Sequence, residues 1–324
     1  MFLEDAFHGK SVLVTGHTGF KGSWLCLWLS KLGAKVHGYS LLPDTDPNHY
    51  KEARIHELLA SERFGNICDR KHFTEYIHEV RPDCIFHLAA QPIVRRSYRE
   101  PVETFEANVM GSIYLMDALR TSAHPCTAIM ITSDKCYLNT NQIWGYRECD
   151  PLGGHDPYSA SKAAAEIAIA SYRDSYFPPE KIGEHKIHIA SVRAGNVIGG
   201  GDWAEDRIIP DAVRAVTTGT PLELRSPQAV RPWQHVLEPL SGYLVLAARM
   251  MCGDRCQMAP LESAWNFGPL PAGTATVLEI VQGFYRAWGS GETSYDPTLV
   301  QLPEATLLRL SSDKAMNLLG WKPI

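Results

Sequence analysis

The chain has 324 residues, of which 45% are hydrophobic and 21% charged, with a formal net charge of −5. That length builds one large or two small domains with an ample core, and the mild negative charge gives no electrostatic reason to expect nucleic acid or an anionic membrane surface. No apolar run approaches membrane-spanning length, and Met1 to Lys10 lacks the apolar core of a signal peptide. Eight cysteines are scattered without CxxC pairs. Cys252 and Cys256 lie closest, with no His or Cys cluster to complete a metal site. The expectation is a cytoplasmic protein with reduced thiols and no metal.

In chain order, Ser11-Val12-Leu13-Val14-Thr15 is a short apolar run and Gly16-His17-Thr18-Gly19-Phe20-Lys21-Gly22 a glycine turn, followed by a helical pattern from Ser23 to Leu32. Strand, glycine turn and helix N-terminus in that order suit a dinucleotide. Glycine lets the backbone turn tightly and approach a pyrophosphate, and the free N–H groups of the helix hold its charge. An ordinary glycine loop is the plain alternative. Further strands are expected at Lys35–Tyr39, Arg63–Ile67, Cys84–Leu88, Ala128–Thr132 and Ile187–Arg193, and helices at Lys71–Val80, Val102–Arg120 and Tyr158–Tyr176.

This alternation predicts an α/β fold, a Rossmann-type doubly wound parallel sheet. From about Gly195 onward Pro, Gly, Trp and Arg become frequent and the elements shorten. Residues 1–194 are therefore expected to form a dinucleotide-binding Rossmann domain. Residues 195–324 are expected to form mainly a smaller mixed α/β substrate lobe, some segments returning to the main sheet. The crevice between them is where such folds bind ligands.

Two clusters carry chemistry. Tyr158 and Lys162 are four apart, so a helix stacks them on one face. Free tyrosine titrates near about 10, and a fixed cation favours the phenolate, bringing it toward the range of a useful base. Such pairs also occur on solvated helix faces. Thr132-Ser133-Asp134-Lys135-Cys136-Tyr137 follows a strand, which puts it over the same crevice. Ser133 can bond a sugar hydroxyl, Asp134 can serve as an acid, and Lys135 as a base if its pKa falls. Alternatively Lys135 stays charged and stabilises an enolate, or the segment is a polar loop with a solvated ion pair.

The ordered runs Gly16 to Gly22, His87-Leu88-Ala89-Ala90-Gln91-Pro92, Thr132 to Tyr137, Asp156-Pro157-Tyr158-Ser159-Ala160-Ser161-Lys162, Arg193 to Trp203 and Arg231-Pro232-Trp233-Gln234-His235-Val236 resemble the extended short-chain dehydrogenase/reductase family. Within it the chain is similar to the sugar-nucleotide 4,6-dehydratases, and Lys135, where most dTDP-glucose relatives carry Glu, marks the CDP-glucose branch. The resemblance implies internal hydride transfer from C4 to C6 of CDP-glucose through NAD, with loss of water. Its catalytic residues would be Ser133, Asp134, Lys135, Tyr158 and Lys162. NAD would be held by Gly16, His17, Gly19, Phe20, Lys21, Gly22, Asn66, Ile67, Leu88, Ala89 and Ala90, together with Tyr158 and Lys162.

Gln91, Asn196, Gly200, Trp203, Arg207, Arg225 and Arg231 would hold the substrate, arginine suiting its diphosphate. Ser40 and Leu41 stand where many NAD-binding relatives carry Asp, yet no arginine there receives a 2′-phosphate, so NAD is favoured over NADP. His17 and Lys21 are bulky for their loop, which suggests an exchangeable cofactor. Apolar Ile113, Leu115, Met116, Ile167 and Ile169 suggest a homodimer through a four-helix bundle, as in relatives. A sugar-nucleotide epimerase, which needs the Tyr/Lys pair without Asp134 and Lys135, and a non-enzymatic NAD-binding regulator are the competing readings.

Overall fold

Val12, Leu13 and Val14 alternate between the two faces of the first strand, and all three are sealed from solvent. A strand buried on both faces belongs at the centre of a covered parallel sheet. In a computed structural model, which describes residues 2–253, 258, 260–270, 274–298 and 307–324, that strand, β1 (Ser11–Thr15), lies mid-sheet. The other strands are β2 (Lys35–Ser40), β3 (Ser61–Phe64), β4 (Cys84–His87), β5 (Cys126–Ile131), β6 (Ile187–Ala194) and β7 (Ala264–Phe267). Their order is β7-β6-β5-β4-β1-β2-β3, every pairing parallel. Strand order reverses between β1 and β4, which opens a crevice at their carboxyl ends.

Helices cover both faces. On one, α1 (Phe20–Lys31) packs through Leu25 and Leu29 with Val12, Val14 and Phe86. On the other, α2 (Arg70–Val80), the long helix spanning 101–121 (α3) and α4 (Pro157–Tyr176) enclose Leu13, Phe73, Ile85, Leu115, Ile169 and Ile189. Helix α3 contains a π turn at Glu106–Met110 between its α-helical parts Pro101–Phe105 and Gly111–Thr121. Asp156 caps α4, its carboxylate accepting from Ser159 N at 2.9 Å, and Pro157 follows as the first helical residue.

Three elements differ from expectation. The third strand ends at Phe64 rather than Ile67, because Asn66 Oδ1 accepts Cys68 N at 2.9 Å and folds the chain into a turn. Leu115, Met116 and Ile169 face the sheet core and leave Ile167, 60% exposed, as the clearly outward residue of the five apolar positions. The long C-terminal helices follow hydrophobic periodicity that the strand-based reading passed over: α5 (Ile208–Thr218), α6 (Leu237–Met251) and α7 (Val277–Trp288).

Helix α6 is apolar nearly all round, and its Leu240, Tyr243 and Leu244 join the core shared with β1 and β4. With β7 it carries the later half of the chain back onto the main sheet. Other later segments form two-stranded pairs, such as Val230–Pro232 with Thr274–Thr276. Gly242 of α6 permits the close approach of β7, because a Cβ there would lie 2.2 Å from the Phe267 ring. Alanine in place of a helical glycine ordinarily stabilises by about 1 kcal/mol. Here the sign reverses: Gly242→Ala is expected to destabilise by about 1–3 kcal/mol through overpacking, read as a lower urea midpoint.

Candidate active site

The glycine turn closes on itself. Gly16 takes φ 73°, donates its N–H to Tyr39 O at 2.8 Å, and sits so near the end of β4 that a Cβ would lie 2.8 Å from Ala89 N. A Cβ on Gly22 would lie 2.0 Å from Gly16 O. Only glycine fits either place. Gly19 caps α1 with no side-chain hydrogen bond, which leaves the first N–H groups of the helix for an anion. Leu88, Ala89 and Ala90 line the facing strand end, where Ala89 N donates to Thr15 Oγ1 at 3.1 Å. The cradle fits a dinucleotide pyrophosphate.

His17 does not crowd that cradle. Its imidazole is fully buried beneath β2, with Nε2 3.0 Å from Glu62 Oε2 and the ring against Tyr50 and Phe64. Burial depresses its pKa. Gly38 makes the room, since a Cβ there would lie 2.7 Å from the ring. Asn66 and buried Ile67 lie past the end of β3, with the Asn66 carbonyl accepting from Tyr39 OH at 3.2 Å. Phe20 packs as a half-buried residue on the core, beside Gly199.

Lys21 points the other way, into the crevice, with its ammonium 6.0 Å from the Tyr243 ring centroid. Burial, with Arg207 and Lys162 nearby, lowers it to about 8, against the pull of Asp134. Asp134 is 2% exposed, accepts from Ser133 Oγ at 3.0 Å, and leaves Oδ2 without a hydrogen-bond partner. Burial raises its pKa, opposed by Lys135, Ser133, Arg231 and Lys21. The carboxyl is thus disposed to hold a proton.

Tyr158 and Lys162 are buried on one face of α4. Burial holds the Tyr158 phenol up at about 12, and the Ser133 side chain is the strongest influence drawing it down. Arg207 also lowers it, and the Asp134 charge raises it. Burial lowers Lys162 to about 8, with Glu166 opposing, so the ammonium persists at neutral pH.

Lys21, Asp134, Tyr158, Lys162, Arg207 and Arg231 therefore share one crevice. The remaining expected substrate residues, and Arg207 itself, have the following protein partners. Gln91 is buried with its amide committed, donating to Thr104 Oγ1 at 2.8 Å and accepting from Ile93 N at 2.6 Å. Gly200 O accepts from Trp24 Nε1 at 2.9 Å, Asn196 O accepts from Gln234 N at 3.2 Å, and the Trp203 carbonyl accepts from Arg214. Arg207 pairs with Asp202 at 3.3 Å, and Arg225 with Asp206 at 3.2 Å, where Arg95 also lands.

Sequence reasoning missed the supports behind the crevice. Asn108, in the π turn, accepts from Gln91 N at 2.8 Å and donates to Ser161 Oγ at 2.8 Å; Ser161 donates to Tyr158 O at 2.7 Å. Nothing local signals Asn108. Glu166 is one helical turn past Lys162, a spacing that was readable. Its buried carboxylate accepts from Thr132 Oγ1 at 2.5 Å, Ser191 Oγ at 2.8 Å and Arg193 Nη2 at 2.8 Å. Among the described residues no His, Cys, Asp and Glu cluster suits a metal ion, and no helix is long and apolar enough to cross a membrane. The described cysteines form no disulfide, and Cys256 lies outside the described residues.

Two outcomes test this geometry. Gly22→Ala is expected to weaken NAD binding at least about ten-fold by pushing Gly16 off its seat, measured by titration calorimetry on a variant whose circular dichroism matches the parent. Lys162 titrates lower when folded (about 8) than its ordinary 10.5, so below pH 8 its buried charge opposes folding and that penalty fades as pH rises toward 10.5. Lys162→Met is therefore expected to exceed the parent in stability at pH 7 by up to about 3 kcal/mol, the gap narrowing between pH 8 and 10.5 in urea melts.

The chain is similar to known proteins over its whole length. The chain is 45% identical over 323 residues to the CDP-glucose 4,6-dehydratase of Salmonella typhimurium, covering 100% of this chain and 89% of that protein. Its fold matches the crystal structure of dTDP-glucose 4,6-dehydratase from Bacillus anthracis in complex with NAD, at TM-score 0.76 and 21% identity, covering 96% and 91% of the two chains. It also matches UDP-glucose 4-epimerase from Thermotoga maritima, at TM-score 0.79 and 21% identity over 96% and 93%. A family model described as GDP-mannose 4,6 dehydratase spans residues 13–324, and the chain belongs to that family of extended short-chain dehydrogenases/reductases.

Proposed function

We propose that this chain is a CDP-glucose 4,6-dehydratase, a hydro-lyase that converts CDP-glucose to CDP-4-keto-6-deoxyglucose and water. The observation that carries the reading is the meeting of Asp134 and Ser133 with Tyr158 and Lys162 in one buried crevice. An epimerase needs the Tyr/Lys pair without the acid/base couple Asp134 and Lys135. The 45% identical relative supports the cytidine nucleotide, and NAD-bound neighbours of the same fold support the cofactor.

When bound, NAD supplies the hydride acceptor at C4 and the donor at C6, and its positive ring favours the phenolate. Tyr158 removes the O4 proton, Lys162 keeps a cation on the same helical face, and Ser133 steadies O4. The C4 ketone acidifies C5–H, and Lys135, 2 residues past Ser133, takes that proton and gives it back to C5 once C6 is reduced. Asp134, its pKa raised by burial, protonates the departing O6 hydroxyl. A protonated Asp134 also no longer holds the phenol up, so the acid and base assignments reinforce one another. Arg207 and Arg231 face the diphosphate. Gly16, Gly19 and Gly22 with the α1 N-terminus hold the cofactor, His17 shapes the loop from beneath, and Lys21 adds charge at the crevice.

The Rossmann part spans residues 1–194 and the substrate part mainly 195–324. The working unit is a cytoplasmic homodimer in which α3 and α4 form a four-helix bundle with their copies; exposed Val102, Phe105 and Ile167 supply apolar surface for it. The test is incubation with CDP-glucose and NAD, followed by mass spectrometry. Loss of one water is expected, with Asp134→Asn and Lys135→Met slower by roughly a hundred- to ten-thousand-fold. Unchanged mass with inverted C4 would replace the reading with an epimerase, and turnover of dTDP-glucose alone would change the nucleotide.

A further inference from the structure

Arg193 of β6 is 3% exposed and forks in two directions. Its Nη2 donates to Glu166 Oε2 at 2.8 Å, on the helix that carries Tyr158 and Lys162. Its Nη1 donates to Tyr137 OH at 2.7 Å, and its guanidinium lies 4.9 Å from the Tyr137 ring centroid. Tyr137 directly follows the short 3-10 turn Asp134–Cys136. The Tyr137 hydroxyl donates onward to Asn266 Oδ1 at 2.8 Å, and Asn266 is fully buried on β7.

We propose that Arg193 is a positioning residue, holding the oxidising couple Tyr158–Lys162 and the eliminating couple Asp134–Lys135 in register on one hexose. The inference rests on the dehydratase reading. That reaction acts at C4 and then across C5 and C6 of a single bound sugar, so both couples must keep their separation within a fraction of an ångström. A bidentate, planar, permanently charged group between them does this with two fixed arms, which an ammonium does not supply. Neither arm touches substrate.

Loss of register has a chemical signature that general loosening lacks. Oxidation sends the O4 proton to Tyr158 and the C4 hydride to NAD+, giving a ketone and NADH. If elimination then lags, the 4-keto sugar leaves with its 6-hydroxyl intact and the cofactor remains reduced. Tyr137→Phe removes one arm's acceptor. Arg193→Lys keeps a cation for Glu166 and gives up the contact with Tyr137, so it serves if the first variant does not fold.

Each variant is melted, then incubated with CDP-glucose and NAD, quenched with borodeuteride and analysed by mass spectrometry. Both are expected to form the 6-deoxy product about 10- to 100-fold more slowly than the parent, with deuterium-labelled hexose that retained its 6-hydroxyl and with reduced nicotinamide in the absorbance. Turnover within about two-fold of the parent would overturn the proposal, as would an equal fall in oxidation and elimination with no retained hydroxyl. Unfolding of both variants would also defeat it, leaving a purely structural network. A parent that releases no water from CDP-glucose would instead refute the functional reading.

Discussion

A carboxylate in a dry interior must be answered by hydrogen bonds and opposite charge, since removing one partner leaves several kcal/mol uncompensated. Glu166 meets that requirement with Thr132 past β5, Ser191 and Arg193 on β6, and no water-facing escape. Arg193, Ser191 and Thr132 together keep its pKa below the usual carboxylate range despite burial. The constraint pins α4 to the carboxyl ends of two adjacent strands. Everything the crevice does depends on where that helix lies, because it carries Tyr158 and Lys162.

A second set of supports acts at the N-terminal end of the same helix. Asp156 caps it, Ser97 Oγ accepts from Tyr158 N at 3.1 Å, and the Gln91–Asn108–Ser161 chain reaches the Tyr158 carbonyl. Asn108 reaches both neighbours from within a π turn, a helical irregularity that often marks functional positions. Burial on this scale is what moves the titrations of the crevice: it raises Asp134 and Tyr158 and lowers Lys162. The site separates an acid from a base by sharing one low-dielectric space between groups of opposite charge type.

The strands, the glycine turn and the reactive clusters were legible because each rests on local pattern. Val12 to Val14 advertise burial on both faces, Gly16 and Gly22 mark positions where a Cβ has no room, and Tyr158 and Lys162 carry a helical spacing. What stayed hidden depends on partners far away in the chain. Gln91 reads as a strand-end amide, yet Thr104 and Ile93 occupy it. His17 reads as loop bulk, yet Glu62 and Gly38 draw it beneath the sheet. In each case the deciding quantity is a tertiary distance that no window of sequence contains.

Strand β7 and helix α6 have a bearing on how such a protein diversifies. Both come from the later half of the chain, yet Trp265, Phe267, Leu240 and Tyr243 belong to the same core as Val12 and Phe86. The sheet that carries the cofactor cradle is thus completed by sequence more than 240 residues beyond the glycine turn. A gene exchange that joined the first half of one such protein to the second half of another would have to match core packing across the join. The segments between β6 and α6 add no strand to that sheet, so they can change with less disturbance to its pairing.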